Sequence, residues 1–272
     1  MSRLAVPRQL SPHLFIIYAE FPHRDSGNVY LLTGSVPTLI DCGSSRGVPQ
    51  MRRNLSQLGI DIQDISQVIA THGDCDHIQG YHDLRQENPA LSLHLHPADW
   101  SLVEEPNPYR NANYIYRNPF VPIDTGHCLP LGDGQQIVAG EGALTVLHTP
   151  GHTEGSVSLW GEIDGHKVVF AGDTVGGSMR SLTGADLGIW AQALRTWEES
   201  LQRVAGLEID WILTGHEPAT SLPLSRAWFD RARATFGKMM NPWFLLGETF
   251  DDDPARPDAE HPAARPTETI GL

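Results

Sequence analysis

Along the chain, short apolar runs alternate with clusters of turn-forming residues, and the runs fall into two sets. In the first half, Leu14–Ala19, Asn28–Leu32 and Thr38–Asp41 read as strands separated by Gly, Pro, Asp and Ser. Val48, Met51, Leu55 and Leu58 then recur at helical spacing and stop at Gly59. A β-branched run at Gln67–Thr71 follows, then a helix-like stretch from about Ile78, a strand at Leu91–His96, and Pro97 opening another helix. The second half repeats the theme with strands at Gln136–Val138, Leu144–His148, Ser156–Trp160 and Lys167–Ala171. Asp186–Val204 reads as an amphipathic helix with Leu187, Trp190, Leu194, Trp197 and Leu201 on one face. Trp211–Thr214 reads as a last buried strand and Leu222–Phe236 as a last helix. Strands followed by helices, twice, suit two packed sheets with helices outside.

Two stretches break this pattern. Residues 104–130 are rich in Pro, Asn and Tyr and show no period, which predicts a long ordered loop or insertion of the kind that covers a site. From Gly247 onward the chain is polar and proline-rich. The expected organisation is one domain over residues 1–246 and a disordered or draped tail over 247–272.

Composition narrows the class. Hydrophobic content of 40% and charged content of 19% are ordinary for a soluble globular protein. No apolar run approaches the ~18 residues of a membrane span, and MSRLAVPRQLSPHLF lacks the apolar core of a signal peptide, so a cytoplasmic location is expected. Nineteen basic against 33 acidic residues give a formal charge of -14, which argues against nucleic acid as a partner, although part of the excess lies in DDDPARPDAE of the tail. Cys42, Cys75 and Cys128 form no CxxC pair and are expected as free thiols in a reducing compartment, Cys75 as a small buried residue.

Thirteen histidines make their placement informative. Asp41 ends one predicted strand, and THGDCDHIQG, carrying His72, Asp74, Asp76 and His77, ends the next. TPGHTEGS delivers His152, GDT delivers Asp173 and GHE delivers His216, each just past a strand. Rigid supports converging from separate elements are what a metal centre requires, and the joint pattern points to a dinuclear site. His94 and His96 share a strand face and are expected to be structural, whereas His23 and His127 sit in loops placed to reach the mouth of the site.

LIDCG (39–43), THGDCDHIQG (71–80), HTPGHTEGS (148–156), FAGDT (170–174) and LTGHE (213–217), spread over roughly residues 14–240, resemble the metallo-β-lactamase superfamily. The resemblance implies an α/β fold: an αββα four-layer sandwich, two mixed β-sheets flanked by helices, with metals at one edge. It implies that His72, Asp74 and His152 hold one divalent ion, that Asp76, His77 and His216 hold the other, that Asp173 bridges them, and that Asp41 orients ligands from behind. The implied reaction is hydrolysis of a small ester, thioester or lactone by a metal-bridging hydroxide, with Asp76 holding that hydroxide in line.

Asp74 departs from the family's usual HxHxDH. Three carboxylates against two divalent ions and a hydroxide bring the core from about +1 to about 0, a weaker Lewis acid. A carboxylate-rich site leans to iron or manganese over zinc. A glutamate at this position is found in flavodiiron proteins, whose motif is similar and binds two irons, so a non-haem diiron oxygen-dependent enzyme is the alternative; no segment here is long enough to supply a flavin domain. Aspartate is one methylene shorter, which leaves direct ligation, ligation through water and a weak first site all open. Asp173, where the commonest antibiotic-hydrolysing type carries cysteine, argues against that type. Tyr114, Tyr116 and Arg117, with His23, offer an aromatic wall and a cation to a small-molecule substrate that is anionic or ring-bearing. The same segment reads equally as surface packing or a homodimer contact, and no membrane partner is expected.

Overall fold

Period-two alternation divides each apolar run between two faces, and here both faces are buried. The computed structural model describes residues 7–19, 26–105, 107, 111–113, 117, 120–175, 187–216, 226–227 and 229–230. One sheet holds seven strands in chain order: β1 (Arg8–Ser11), β2 (Leu14–Tyr18), β3 (Val29–Leu32), β4 (Thr38–Ile40), β5 (Gln67–Ile69), β6 (Ser92–Leu95) and β7 (Cys128–Pro130). Its first three pairings are antiparallel and its last three parallel. The second sheet is ordered β12-β11-β10-β9-β8, from β8 (Gln136–Ala139), β9 (Gly142–His148), β10 (Val157–Ile163), β11 (His166–Gly172) and β12 (Trp211–Thr214), with only β11 and β12 parallel.

The side chains sort into three apolar layers. Leu14, Ile16, Tyr30, Leu32, Ile40 and Ile69 face Val146, Leu159, Val168, Phe170 and Leu213 between the sheets. Alternate residues Ile17, Val29, Leu31, Leu39 and Val68 pack outward against Val48, Met51 and Leu55 of α1 (Val48–Gln57). Val169, Ala171 and Ile212 pack outward against Trp197, Leu201 and Val204 of the helix Leu187–Ala205. Helix, sheet, sheet, helix is the expected four-layer α/β sandwich of two mixed sheets.

The helices between β5 and β7 are short: α2 (Cys75–Ile78), α3 (Tyr81–Glu87) and α4 (Trp100–Glu104), so Leu187–Ala205 becomes α5. The helix expected from about Ile78 is thus two pieces, the first beginning inside the His/Asp motif. Two strands escape the sequence pattern. β1 is an edge strand with two of its four residues exposed, and β7 is three residues ending in proline, too short to display alternation. β7 also corrects the reading of 104–130 as unbroken loop, since its last residues close the parallel edge of the larger sheet. The Leu222–Phe236 helix (apart from 226, 227, 229 and 230), the 247–272 tail, and the side chains of Leu187, Trp190 and Leu194 lie outside the described residues. Among those residues no helix is long and apolar enough to cross a membrane.

One ion pair staples the sheets at the end away from the His/Asp motif. Ile163-Asp164-Gly165-His166 is a two-residue Asp-Gly hairpin loop with positive φ at both central residues. Asp164 accepts from His13 Nδ1 at 2.7 Å and from Ser11 Oγ at 2.6 Å, both in the β1–β2 hairpin. The hydrogen bond to Asp164 raises the His13 pKa above its usual 6.5. Such a group stabilises the fold fully below the ordinary histidine value, and the contribution is lost as pH rises through the raised one. Thermal melts of His13→Ala and wild type should therefore differ most near pH 5.5 and draw together by pH 8.5; a gap that widened with pH would contradict this pairing.

Candidate metal centre

β4 and β5 run parallel, and β9, β11 and β12 share one direction, β9 through two antiparallel steps. The C-terminal ends of each set therefore open at one edge, where the residues that follow them meet. Backbone bonds lock the two sheets together there, Val157 N–H donating to Thr71 O at 2.8 Å and Asn28 N–H to Gly215 O at 2.7 Å, while Gly27 N–H to Asp76 O at 2.8 Å ties the loops of the larger sheet to each other.

Two sets of ligand-type atoms result. His72, His152 and Asp173 offer atoms all within 4.8 Å of one another, and so do Asp76, His77 and His216. Asp173 reaches both, with Oδ2 3.3 Å from His152 Nε2 and 3.4 Å from His216 Nε2, and Oδ1 3.5 Å from His77 Nε2. Asp74 joins the first set: its Oδ2 is 3.0 Å from His152 Nε2 and 3.6 Å from His72 Nε2. It occupies the N-cap position of α2, where an aspartate ordinarily accepts a backbone N–H, yet makes no cap hydrogen bond. Its carboxylate is committed to the histidines instead. Close packing shapes the cradle further: a Cβ on Gly215 would overlap Asp173 Oδ1 and come within 2.7 Å of His77 Cε1, so only glycine lets the β12 loop approach.

Asp41 sets the imidazole orientations. Its Oδ2 pairs with His77 Nδ1 at 2.9 Å and accepts from Thr71 Oγ1 at 2.8 Å, while Oδ1 accepts from Thr71 N–H at 2.7 Å. Thr71 Oγ1 in turn lies 3.0 Å from His72 Nδ1. Placing protons on both Nδ1 atoms frees both Nε2 lone pairs for the centre. Asp41→Asn keeps the shape but turns an amide N–H toward His77 Nδ1, favouring the wrong tautomer. Metal affinity of the Asp76, His77, His216 set should fall about 10–100-fold by chelator competition; unchanged affinity would remove Asp41 from this role.

Electrostatics favour a cation here. Burial on its own would raise the carboxyls of Asp74, Asp76 and Asp173, but the surrounding histidines hold all three well below the usual carboxylate range, chiefly through hydrogen bonds at Asp74 and through their positive charge at Asp76 and Asp173. Burial would lower His77, but the charges of Asp76, Asp173 and Asp41 carry it up to about 9. Without a metal, protons must neutralise the cluster, because among the described residues the ion-pair partners of these three aspartates are all histidines. His72 Nε2, Asp74 Oδ1, and both carboxylate oxygens of Asp76 and of Asp173 are buried with no hydrogen-bond partner. Orphaned polar atoms of this kind are costly, and divalent ions would satisfy all of them at once. The donor set fits such ions.

The structure brings together all seven ligand positions read from the sequence, with Asp41 behind them. Tyr114, Tyr116 and His23 lie outside the described residues. Arg117 is exposed, and its carbonyl accepts from Arg46 at 3.2 Å. His127 is exposed and paired with Asp124 at 3.0 Å. His96 is structural, its Nδ1 accepting from Ala98 N–H at 3.2 Å. None of the three cysteines is in a disulfide, and Cys75 is fully buried as expected. Sequence reasoning missed Asp99, a buried carboxylate just beyond β6, and Thr71 as the relay from Asp41 to His72. The 104–130 segment is clipped to the motif: Asn111 O accepts from Cys75 N–H at 3.0 Å, and Gln79 exchanges two bonds with the Val121 backbone, at 2.8 and 3.1 Å.

Comparison with known proteins adds the family. The family model described as Metallo-beta-lactamase superfamily matches residues 23–216. The chain is 27% identical over 199 residues to the probable metallo-hydrolase YflN of Bacillus subtilis (strain 168), covering 65% of this chain and 74% of that protein. It is 27% identical over 240 residues to the probable metallo-hydrolase YqjP of the same organism, covering 75% and 72%. In three dimensions it resembles BJP-1, a subclass B3 metallo-beta-lactamase of Bradyrhizobium japonicum, with a TM-score of 0.60 over 90% of this chain and 92% of that one. Sequence identity there is 20%, so the likeness is one of fold.

Proposed function

This chain belongs to the metallo-β-lactamase superfamily, whose relatives here are named metallo-hydrolases, and from that membership we propose a dinuclear metal-dependent hydrolase of a small ester, thioester or lactone. The observation that carries the reading is the set of buried oxygens on Asp76 and Asp173 that lack hydrogen-bond partners and lie among two groups of histidines. His72, Asp74 and His152 would hold one ion, Asp76, His77 and His216 the other, with Asp173 between them. Zinc, iron or manganese would supply a nucleophilic hydroxide at neutral pH and a Lewis acid for the substrate carbonyl.

The chain's own residues do the rest. Asp76 stays ionised across the neutral range, because nearby histidines outweigh its burial. It therefore accepts a hydrogen bond and holds the nucleophile in line rather than delivering a proton. Asp41 and Thr71 fix the tautomers of His77 and His72. The 104–130 segment, clipped onto the motif through Asn111 and Val121, carries Tyr114, Tyr116 and Arg117 as candidate contacts for an anionic or ring-bearing substrate.

Asp74 supports one further reading, a diiron oxygen-dependent enzyme, through its added buried carboxylate beside His152. Elemental analysis and electron paramagnetic resonance of protein purified without added metal separate the two. Zinc or manganese with no redox signal, and chelator-sensitive turnover on an ester, thioester and lactone panel, is the expected result. Two irons with a coupled spectrum and no turnover on that panel would sink the hydrolase.

A further inference from the structure

The two ligand segments of the first set come from different sheets, His72 following β5 and His152 following β9, so something must hold one against the other. Asp41 does not span that gap, since its partners are Thr71 and His77 of the larger sheet's loop. Asp99 does. It lies on the single turn Pro97–Asp99 after β6 and is 1% exposed. Its Oδ2 accepts from Gly73 N–H at 2.9 Å, next to His72, and from Thr153 Oγ1 at 2.7 Å, next to His152. Its Oδ1 accepts from Gly155 N–H at 2.7 Å.

The surroundings are built to this carboxylate. A Cβ on Gly155 would stand 2.5 Å from Asp99 Cγ and 2.7 Å from Asp99 N, so the His152 loop approaches only as glycine. Thr153 is itself braced by Ser156, whose Oγ accepts from Thr153 N–H at 2.9 Å and lies 2.8 Å from Thr153 Oγ1. Burial opposes ionisation of Asp99, and the bonds from Thr153, Gly73 and Gly155, with the charge of His72, work against that penalty. A buried carboxylate with three donors from two sheets is a costly feature to keep for packing alone.

We propose that Asp99 is a positioning residue for metal binding: it clamps the His72 and His152 loops together and sets the affinity of the His72, His152, Asp173 group. The inference rests on the metal-centre reading above. In Asp99→Asn a single acceptor oxygen faces three donors, so at least one bond is lost while volume is kept.

Zinc titration of metal-free full-length protein against a chromophoric chelator tests it, with His152→Ala identifying the step that belongs to this group. Asp99→Asn should weaken that step about 10–100-fold and leave the other within about threefold. Thr153→Val should weaken the same step by a smaller factor, and Thr153→Ser should restore it; that pair decides the matter should Asp99→Asn fail to fold. Equal weakening of both steps, or affinities in Asp99→Asn and Thr153→Val matching wild type, would overturn the clamp. Wild type that bound no zinc, iron or manganese would instead overturn the metal centre on which it depends.

Discussion

Asp173→Ala should strip metal from both groups at once and lower turnover about a thousandfold or more, equivalent to ~4 kcal/mol of transition-state stabilisation. Among the described residues no other side chain stands between the two sets in this way: Asp173 is 3.3 Å from His152, 3.4 Å from His216 and 3.5 Å from His77. Both its oxygens are buried without a hydrogen-bond partner, so the substitution leaves no stranded donor behind. The cost falls on metal binding rather than on the fold. Because an ion that binds only the folded state stabilises it by mass action, wild type should melt higher with metal than with chelator. In Asp173→Ala that increment should vanish. His216→Ala, by contrast, should empty mainly the Asp76, His77, His216 group. Elemental analysis after gel filtration, paired with melts in metal and in chelator, reads all of this. Full metal and full turnover in Asp173→Ala would mean that the carboxylate does not bridge.

Much of this site is legible in sequence because strand geometry simplifies it. Thr38–Ile40, Gln67–Ile69, Gly142–His148, His166–Gly172 and Trp211–Thr214 are apolar runs, each followed within a few residues by a polar one. Once parallel direction is granted, those polar residues must share an edge. The layers were equally readable, since runs such as Val168–Ala171 bury both alternating faces. Asp99 was not readable in this way. It sits a turn past the end of β6, and its donors are Gly73, Thr153 and Gly155, which lie 26, 54 and 56 residues away. Local pattern carries no trace of such pairings. β7 was hidden for another reason: three residues ending in proline, in a segment without period, are held as a strand only by pairing with β6. Thr71 stood inside the motif, but its relay from Asp41 to His72 is a matter of rotamer rather than spacing.

Asp74→His should raise the preference for zinc over manganese by about tenfold or more. The substitution restores the family's HxHxDH spacing and removes one of three carboxylates from a buried cluster. Asp74 has withdrawn from capping α2, and its Oδ2 instead lies 3.0 Å from His152 Nε2, while its Oδ1 has no hydrogen-bond partner. A carboxylate so placed has two effects on a bound ion. It lowers the net positive charge of the centre, and it offers a hard oxygen donor where imidazole would favour zinc. Imidazole at residue 74 reverses both, so competition between zinc and manganese for metal-free protein should tilt toward zinc. The larger ring must occupy the same buried space, so near-ultraviolet circular dichroism should accompany the titration to confirm native packing. Asp74→Asn separates the two effects, since it removes the charge but keeps an oxygen donor. If charge governs the choice of metal, Asp74→Asn should move the preference part of the way. If donor hardness governs it, only Asp74→His should move it. A natively packed Asp74→His with the wild-type metal preference would place Asp74 outside the coordination of either ion, and the diiron reading would lose its main support.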